Sequence, residues 1–553
     1  MDNAKKWQRA ELLLFTLVTI INILPYLTTR FFPSMDGASH LSNSNIINQL
    51  IFHHNELFSQ FFRINPEPVP NWTSHLFISL LTLIMPAFLA EKILLLVLLA
   101  GTPFAFRSLM KTISPSNALY SFLVFPFTHS MFLFFGFFNF CIAILFFAIT
   151  LNYWLRNYEK PWNPIRLAML AVFICITYFS HILVFGTLLI TITMHIVTGA
   201  LMDFTCRKFS WKEIVNNFAR QTVAITLAAI VPLTLFIYFF YTRPGTREIK
   251  FIPREELISY LYTLRPLISF NISVESRPTM ILFFLLAFFL LAGVVTFIVS
   301  VVKKLRTEGA TVDNMTTGAV AAAENENCRR LNFWWLMGSG IVLLVLYFVL
   351  PDAYGTASYT SLRIAFVLFL VLILWISTFR IHWWFGILAI IAVIFINSTL
   401  NRIYQPTIKD LGKLAVSCYQ AADHIKPNSL VLPIYSMDNW FTGHFVDYLA
   451  IEKPVIMVYN YECESGYFPV IWNLKSKPNY FLGNPLTPEK YINFEIIKGH
   501  PSRQLDYVFI LGQYDPAKDW FFTTLHGILT EQFERVYQAE NCCLYQNKKN
   551  NNK

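Results

Sequence analysis

Charge is what this sequence has least of. Asp, Glu, Lys and Arg together make up 14% of its 553 residues, against about 25% in a soluble globular domain. That excludes an ordinary soluble enzyme. Metal-type CxxC spacing is also missing among the eight cysteines, so neither a zinc ribbon nor a thioredoxin-like redox pair is encoded. Cys141 and Cys175 fall in apolar runs and read as small core residues. The tail from residue 401 has no Gly-rich phosphate loop and no nucleophile elbow. No internal repeat is visible, which disfavours a transporter built from inverted halves.

Apolar residues fill the space that charge leaves. The chain is 55% hydrophobic and 17% aromatic, and runs of about 20 apolar residues, enough to cross a bilayer as a helix, recur through the first 400 positions. The net charge of +10 does not point to nucleic acid, because most Lys and Arg stand between apolar runs, where they orient spans in a membrane. Lys5, Lys6 and Arg9 followed by Ala10 to Leu27 resemble a signal peptide. The apolar part is too long and no small-x-small site follows, so an uncleaved first span with a cytoplasmic N-terminus is expected.

The fold class expected is a polytopic α-helical membrane protein with about eleven transmembrane helices and a C-terminal exterior α/β domain. Residues 1–400 form the multi-span part, with an exterior first loop at 28–73 and a helix at 74–90 that lies in or on the membrane without crossing. Later spans are expected near 92–106, 117–134, 137–155, 165–180, 182–201, 221–241, 279–302, 332–350, 362–379 and 382–399. With 74–90 not crossing, eighteen basic residues fall inside and nine outside, the direction the positive-inside rule requires. If 74–90 crossed, the rule would fail for nearly every later loop. Residues 401–553 then lie outside, periplasmic or extracellular. They alternate short strands (429–435, 454–459, 505–511, 531–537, 542–546) with an amphipathic helix at 407–425, which suits a small α/β domain. Cys418, Cys463, Cys542 and Cys543 would face an oxidising compartment, where a disulfide forms readily. The Ala- and Gly-rich stretch 306–327 reads as a loop.

Three outside features bear on chemistry. Met35-Asp36-Gly37-Ala38-Ser39-His40 offers a carboxylate, a glycine that admits close approach, and an imidazole at i+4 on the same helical face. The loop 242–279 holds Arg243, Arg247, Arg254 and Arg265, which fit phosphate through paired N–H donors, although long loops also follow the charge rule weakly. The short loop 351–363 ends in Tyr359 and Arg363, the latter entering an apolar run, where an arginine either snorkels or pairs. His129 and His181 near outer turns either pack or line a cavity. A carboxylate opposite arginines at a membrane surface suits transfer from a lipid-linked phosphate: the arginines stabilise the leaving phosphate and the carboxylate takes the acceptor's proton. His40 is placed to orient Asp36, to contact the donor phosphate, or to help hold a divalent metal ion.

The Asp36-Gly37-x-x-His40 loop, the many spans and the exterior tail domain resemble the C-type glycosyltransferase superfamily (GT-C), in the form its bacterial members take. The resemblance implies a polyprenyl-phosphate sugar donor, Asp36 as general base with His40 nearby, and a surface-lying segment before the second span. The tail lacks a WWD-like motif, which points away from a large oligosaccharide donor. The function expected is a membrane glycosyltransferase acting at the outer face of a bacterial inner membrane on a glycan, protein or lipid acceptor. The alternative is a non-enzymatic lipid-linked glycan transporter or envelope assembly protein.

Overall fold

The structure is a computed structural model that describes residues 2–205, 210–242, 249–307, 317–354, 358–379, 382–473, 505–518 and 520–549. Eight helices among them are long and apolar enough to cross a membrane: Lys6–Leu27, Ala87–Ile113, Phe138–Asn157, Ile182–Thr205, Trp211–Tyr241, Ile272–Val299, Arg330–Val349 and Trp383–His424. Pro164–Ser180 and Thr360–Ile376 are apolar but only 17 residues long, about 25 Å of helix. The expected span at 117–134 is instead a 3-10 helix, Pro115–His129, kinked at Asn117 and interrupted by Pro126. Each proline deletes one backbone donor that an α-helix needs. Against the eleven spans expected, eight helices among the described residues are long and apolar enough to cross; the other three stretches hold the two 17-residue helices and this 3-10 segment.

The segment expected as one non-crossing helix at 74–90 breaks in two. Thr73–Thr82 is a 10-residue helix, about 15 Å long and half the bilayer core. A turn ending at Pro86 follows, and the next long helix starts at Ala87. Thr317–Val349 is one helix that begins inside the stretch expected as a loop. Trp383–Ala421 is also continuous, joining the last span to the tail helix through Pro406.

The chain divides into two compact units. The first comprises Met1–Pro25, Leu96–Phe132 and Phe140–Tyr404. Its interior is aromatic: Phe15 lies with its ring centroid 4.8–5.2 Å from Phe104, Phe122 and Phe125. Arg107 and Glu11 form a partly buried ion pair. Large apolar side chains such as Leu227, Ile230 and Ile237 are exposed along Trp211–Tyr241, as lipid-facing positions should be.

The second unit comprises Tyr26–Leu95, Leu133–Asn139 and Gln405–Lys553. Nine strands lie among the described residues: β1 (Phe62–Ile64), β2 (Ile249–Lys250), β3 (Ala353–Tyr354), β4 (Ser429–Ser436), β5 (Val455–Met457), β6 (Val470–Trp472), β7 (Tyr507–Gly512), β8 (Phe533–Ala539) and β9 (Cys542–Asn547). In this unit β5-β4-β7-β9-β8 form one sheet. β4 is parallel to β5 and β7, with Leu432 opposite Val508, and β9 is antiparallel to β7 and β8. β4 and β7 are buried on both faces, hence their unbroken apolar sequence. Ile46, Ile47, Phe58, Phe61 and Phe62 of the first loop pack in one core with Leu430, Leu432, Val508, Ile510, Phe521 and Leu525 of the tail. β1 of that loop also pairs antiparallel with β6, Arg63 opposite Ile471. First loop and tail thus share one hydrophobic core.

Candidate active site

Asp36 is the N-cap residue of the helix Gly37–Ile51, and its side chain makes no capping bond to that helix. Two glycines hold the chain here. A Cβ on Gly37 would stand 2.2 Å from Ser34 Oγ. Gly136, at φ +77°, brings the Leu133–Asn139 segment against the same peptide, and a Cβ on it would meet the Gly37 nitrogen at 2.8 Å. The amides of Met35 and Asp36 donate to the carbonyls of Phe134 and Phe135 at 3.1 and 3.0 Å. The group that approaches the Asp-Gly peptide is therefore the protein's own backbone.

The helix that follows is polar and yet enclosed. Every residue from Gly37 to Gln49 is buried, including Ser39, His40, Ser42, Asn43, Ser44, Asn45, Asn48 and Gln49. Burial on this scale requires partners, and they are present. Asn45 Nδ2 donates to the Ala450 and Lys453 carbonyls at 2.9 Å each. Asn48 Nδ2 donates to the Ser79 carbonyl at 3.1 Å. Asn460 Nδ2 donates to Asn43 Oδ1 at 2.9 Å.

One turn in from Asp36 lies a cluster of three side chains. His40 Nδ1 is 3.0 Å from Nε2 of His75 and 3.1 Å from Oε1 of Glu462. His75 Nε2 is 2.7 Å from Glu462 Oε2. All three are buried, and their ligand-type atoms lie close enough together to hold a metal ion. Burial pushes the Glu462 carboxyl up, but the two histidines outweigh it and bring it to about 2. Burial depresses both imidazoles; Glu462 overcomes this for His40, which ends raised, and not for His75, which ends lowered.

Two further groups flank Asp36. His444 Nε2 is 3.7 Å from Asp36 Oδ1, and its ring stacks on Tyr461 at 4.3 Å. Burial lowers His444 to about 4, so it is neutral at pH 7. Tyr461 lies against the Asp36 carboxylate, and burial with that charge raises its phenol. Asp447 accepts a short hydrogen bond from Ser39 Oγ; burial pushes its carboxyl up to about 7.

The second unit thus brings together Asp36 and His40 from the sequence reading, with the His40 ring against His75 and Glu462 and the His444 imidazole 3.7 Å from Asp36. The other candidates lie in the first unit or outside the described residues. Arg243 and Arg247 fall outside them. Arg254 is exposed. Arg265 donates to the Ile268 carbonyl at 2.7 Å. Arg363 donates to the Ser358 carbonyl and lies 6.0 and 5.9 Å from the Phe132 and Phe140 centroids. Tyr359 caps the helix Thr360–Ile376 at φ +62° and borders a hollow of about 440 Å³ with Lys250, Glu256 and Asp352. His129 is fully buried, and the His181 ring is edge-on to Phe140 at 5.2 Å. Sequence reasoning missed His75, Glu462, His444 and Asp447. His75 carried a usable signal, a histidine in the short segment after Asn71-Trp72; the tail residues carried none.

Fold and site together define a polytopic membrane protein whose first loop and tail enclose a carboxylate–histidine cluster. Over 97% of its length the chain is similar to 97% of the crystal structure of ArnT from Cupriavidus metallidurans bound to undecaprenyl phosphate, at 9% sequence identity and a TM-score of 0.48. No family model matches the sequence, and no curated protein matches it.

Proposed function

We propose that this chain is a membrane glycosyltransferase of the GT-C type, moving a sugar from a polyprenyl-phosphate donor to an acceptor at the outer membrane face, with Asp36 as general base. In this reading residues 1–400 carry the spans and 401–553 an exterior α/β domain. The observation that carries it is the enclosed polar helix behind Asp36. Thirteen consecutive buried residues, most of them polar, hold one carboxylate at the helix head without using it as a cap.

The chemistry follows from that placement. The acceptor hydroxyl or amine loses its proton to Asp36 as its oxygen or nitrogen bonds to the sugar's anomeric carbon, and the bond from that carbon to the phosphate oxygen breaks. Burial lowers the His444 imidazole, so it brings no positive charge to Asp36 at pH 7. The negative charge developing on the phosphate calls for cationic donors. Arg243, Arg247, Arg254, Arg265 and Arg363, with Tyr359, are the proposed donors; a guanidinium has five N–H groups, so one given to a loop carbonyl leaves others for phosphate.

Purified protein given labelled polyprenyl-monophosphate sugars should transfer label to an envelope acceptor, and should not do so from nucleotide sugars. Absence of transfer from any polyprenyl-phosphate sugar, with the protein folded and a full envelope extract as acceptor, would sink this reading.

A further inference from the structure

We propose that His40, His75 and Glu462 bind one divalent transition-metal ion, zinc in the first instance, that ties the first loop to the tail one helical turn from Asp36. This does not depend on the glycosyltransferase reading.

Proton bookkeeping makes the case. The nearest partner of His75 Nδ1 is the Asn71 carbonyl at 3.1 Å. A carbonyl only accepts, so Nδ1 carries the proton and Nε2 of the neutral ring presents a lone pair. That lone pair faces a carboxylate oxygen at 2.7 Å and the other imidazole at 3.0 Å. His40 Nδ1 can supply a single proton, and it faces both His75 and Glu462. Three short contacts among nitrogen and carboxylate acceptors therefore share at most one proton while both rings are neutral. Glu462 Oε1 is buried and has no hydrogen-bond partner, although a ring nitrogen stands 3.1 Å away. One cation between the three groups satisfies every contact at once.

The donor set and its support suit such an ion. Two imidazoles and a carboxylate are a common three-ligand zinc set that leaves a fourth position open. Ligand atoms about 2.0–2.2 Å from one ion stand roughly 3.3 Å apart in a tetrahedron. The observed separations of 2.7–3.1 Å need only a few tenths of an ångström of opening. The bond from His75 Nδ1 to the Asn71 carbonyl is the backing that metal-bound histidines almost always have. Asn139 reinforces it, donating to the same carbonyl at 3.0 Å while accepting from the Ser74 amide at 2.8 Å. A divalent ion with one carboxylate also leaves excess positive charge, which offsets Asp36 and Asp447.

The test is elemental analysis of the full-length protein purified in detergent without added metal or chelator. Close to one equivalent of a divalent transition metal per chain is expected. His40→Gln, His75→Gln and Glu462→Gln should each weaken binding by more than the roughly 10–100-fold that losing a supporting hydrogen bond costs, and metal should wash out of them. His53→Gln, an exposed histidine on the same loop, should keep its metal. If the ligand variants aggregate, wild-type protein stripped by chelator and given Co²⁺ should develop the visible absorption of a four- or five-coordinate site. Wild-type protein without metal and without that absorption overturns the proposal. So does metal retained equally in all three folded ligand variants.

Discussion

Asp447 shows how burial changes a single residue. Its carboxyl is raised from 3.8 to about 7, so the folded state favours the protonated form. The stability this group contributes is complete below pH 3.8 and is lost as pH rises toward 7. Ionised, it costs on the order of 4 kcal/mol. Asp447→Asn keeps an acceptor for Ser39 and removes the charge. The variant should gain stability relative to wild type as pH rises from 4 to 7, and the gain should level off above 7. Thermal unfolding in detergent across that range measures the difference directly; a difference that does not change with pH would rule the shift out. His444 titrates oppositely, its depressed value adding stability as pH rises toward 6.5, which is why the comparison is made between variant and wild type.

The helix Gly37–Ile51 depends on two glycines for different reasons. The Gly37 clash is with Ser34 Oγ, the end of a small side chain, whereas the Gly136 clash is with backbone. Gly37→Ala should therefore destabilise the protein and be largely rescued by Ser34→Ala. Gly136→Ala should cost about 1–3 kcal/mol for its left-handed backbone alone, and no side-chain truncation should restore it. Denaturation of the single and double variants distinguishes these outcomes; equal rescue of both would contradict the contact geometry. At this scale much of the structure was legible. The strands at 429–436 and 507–512 match their apolar runs because a strand buried on both faces is written as one. The 3-10 segment Pro115–His129 was not, since its hydrophobicity resembles a span and only its prolines hint otherwise. Asp36 could be singled out as a candidate because its motif is local. The contact of His75 with Glu462 crosses 387 positions, and no periodicity encodes a contact that the fold alone creates.

Topology is set by the whole molecule. The short helix Thr73–Thr82 agrees with a first loop that does not cross after the first span. The proposed orientation, with the N-terminus inside, follows the positive-inside balance and has residues 156–166 in the cytoplasm and the tail outside. Alkaline phosphatase fused after Tyr158 should be inactive, and fused after Lys549 active; the reverse pattern would invert the orientation and remove the outer-face site.

The most direct test of the proposed chemistry is the rate of sugar transfer from a labelled polyprenyl-phosphate donor by Asp36→Asn beside wild type, both shown folded and membrane-inserted. Loss of a general base should slow transfer by about 10²–10⁴-fold, with donor binding retained. Transfer by Asp36→Asn at the wild-type rate would contradict the assignment.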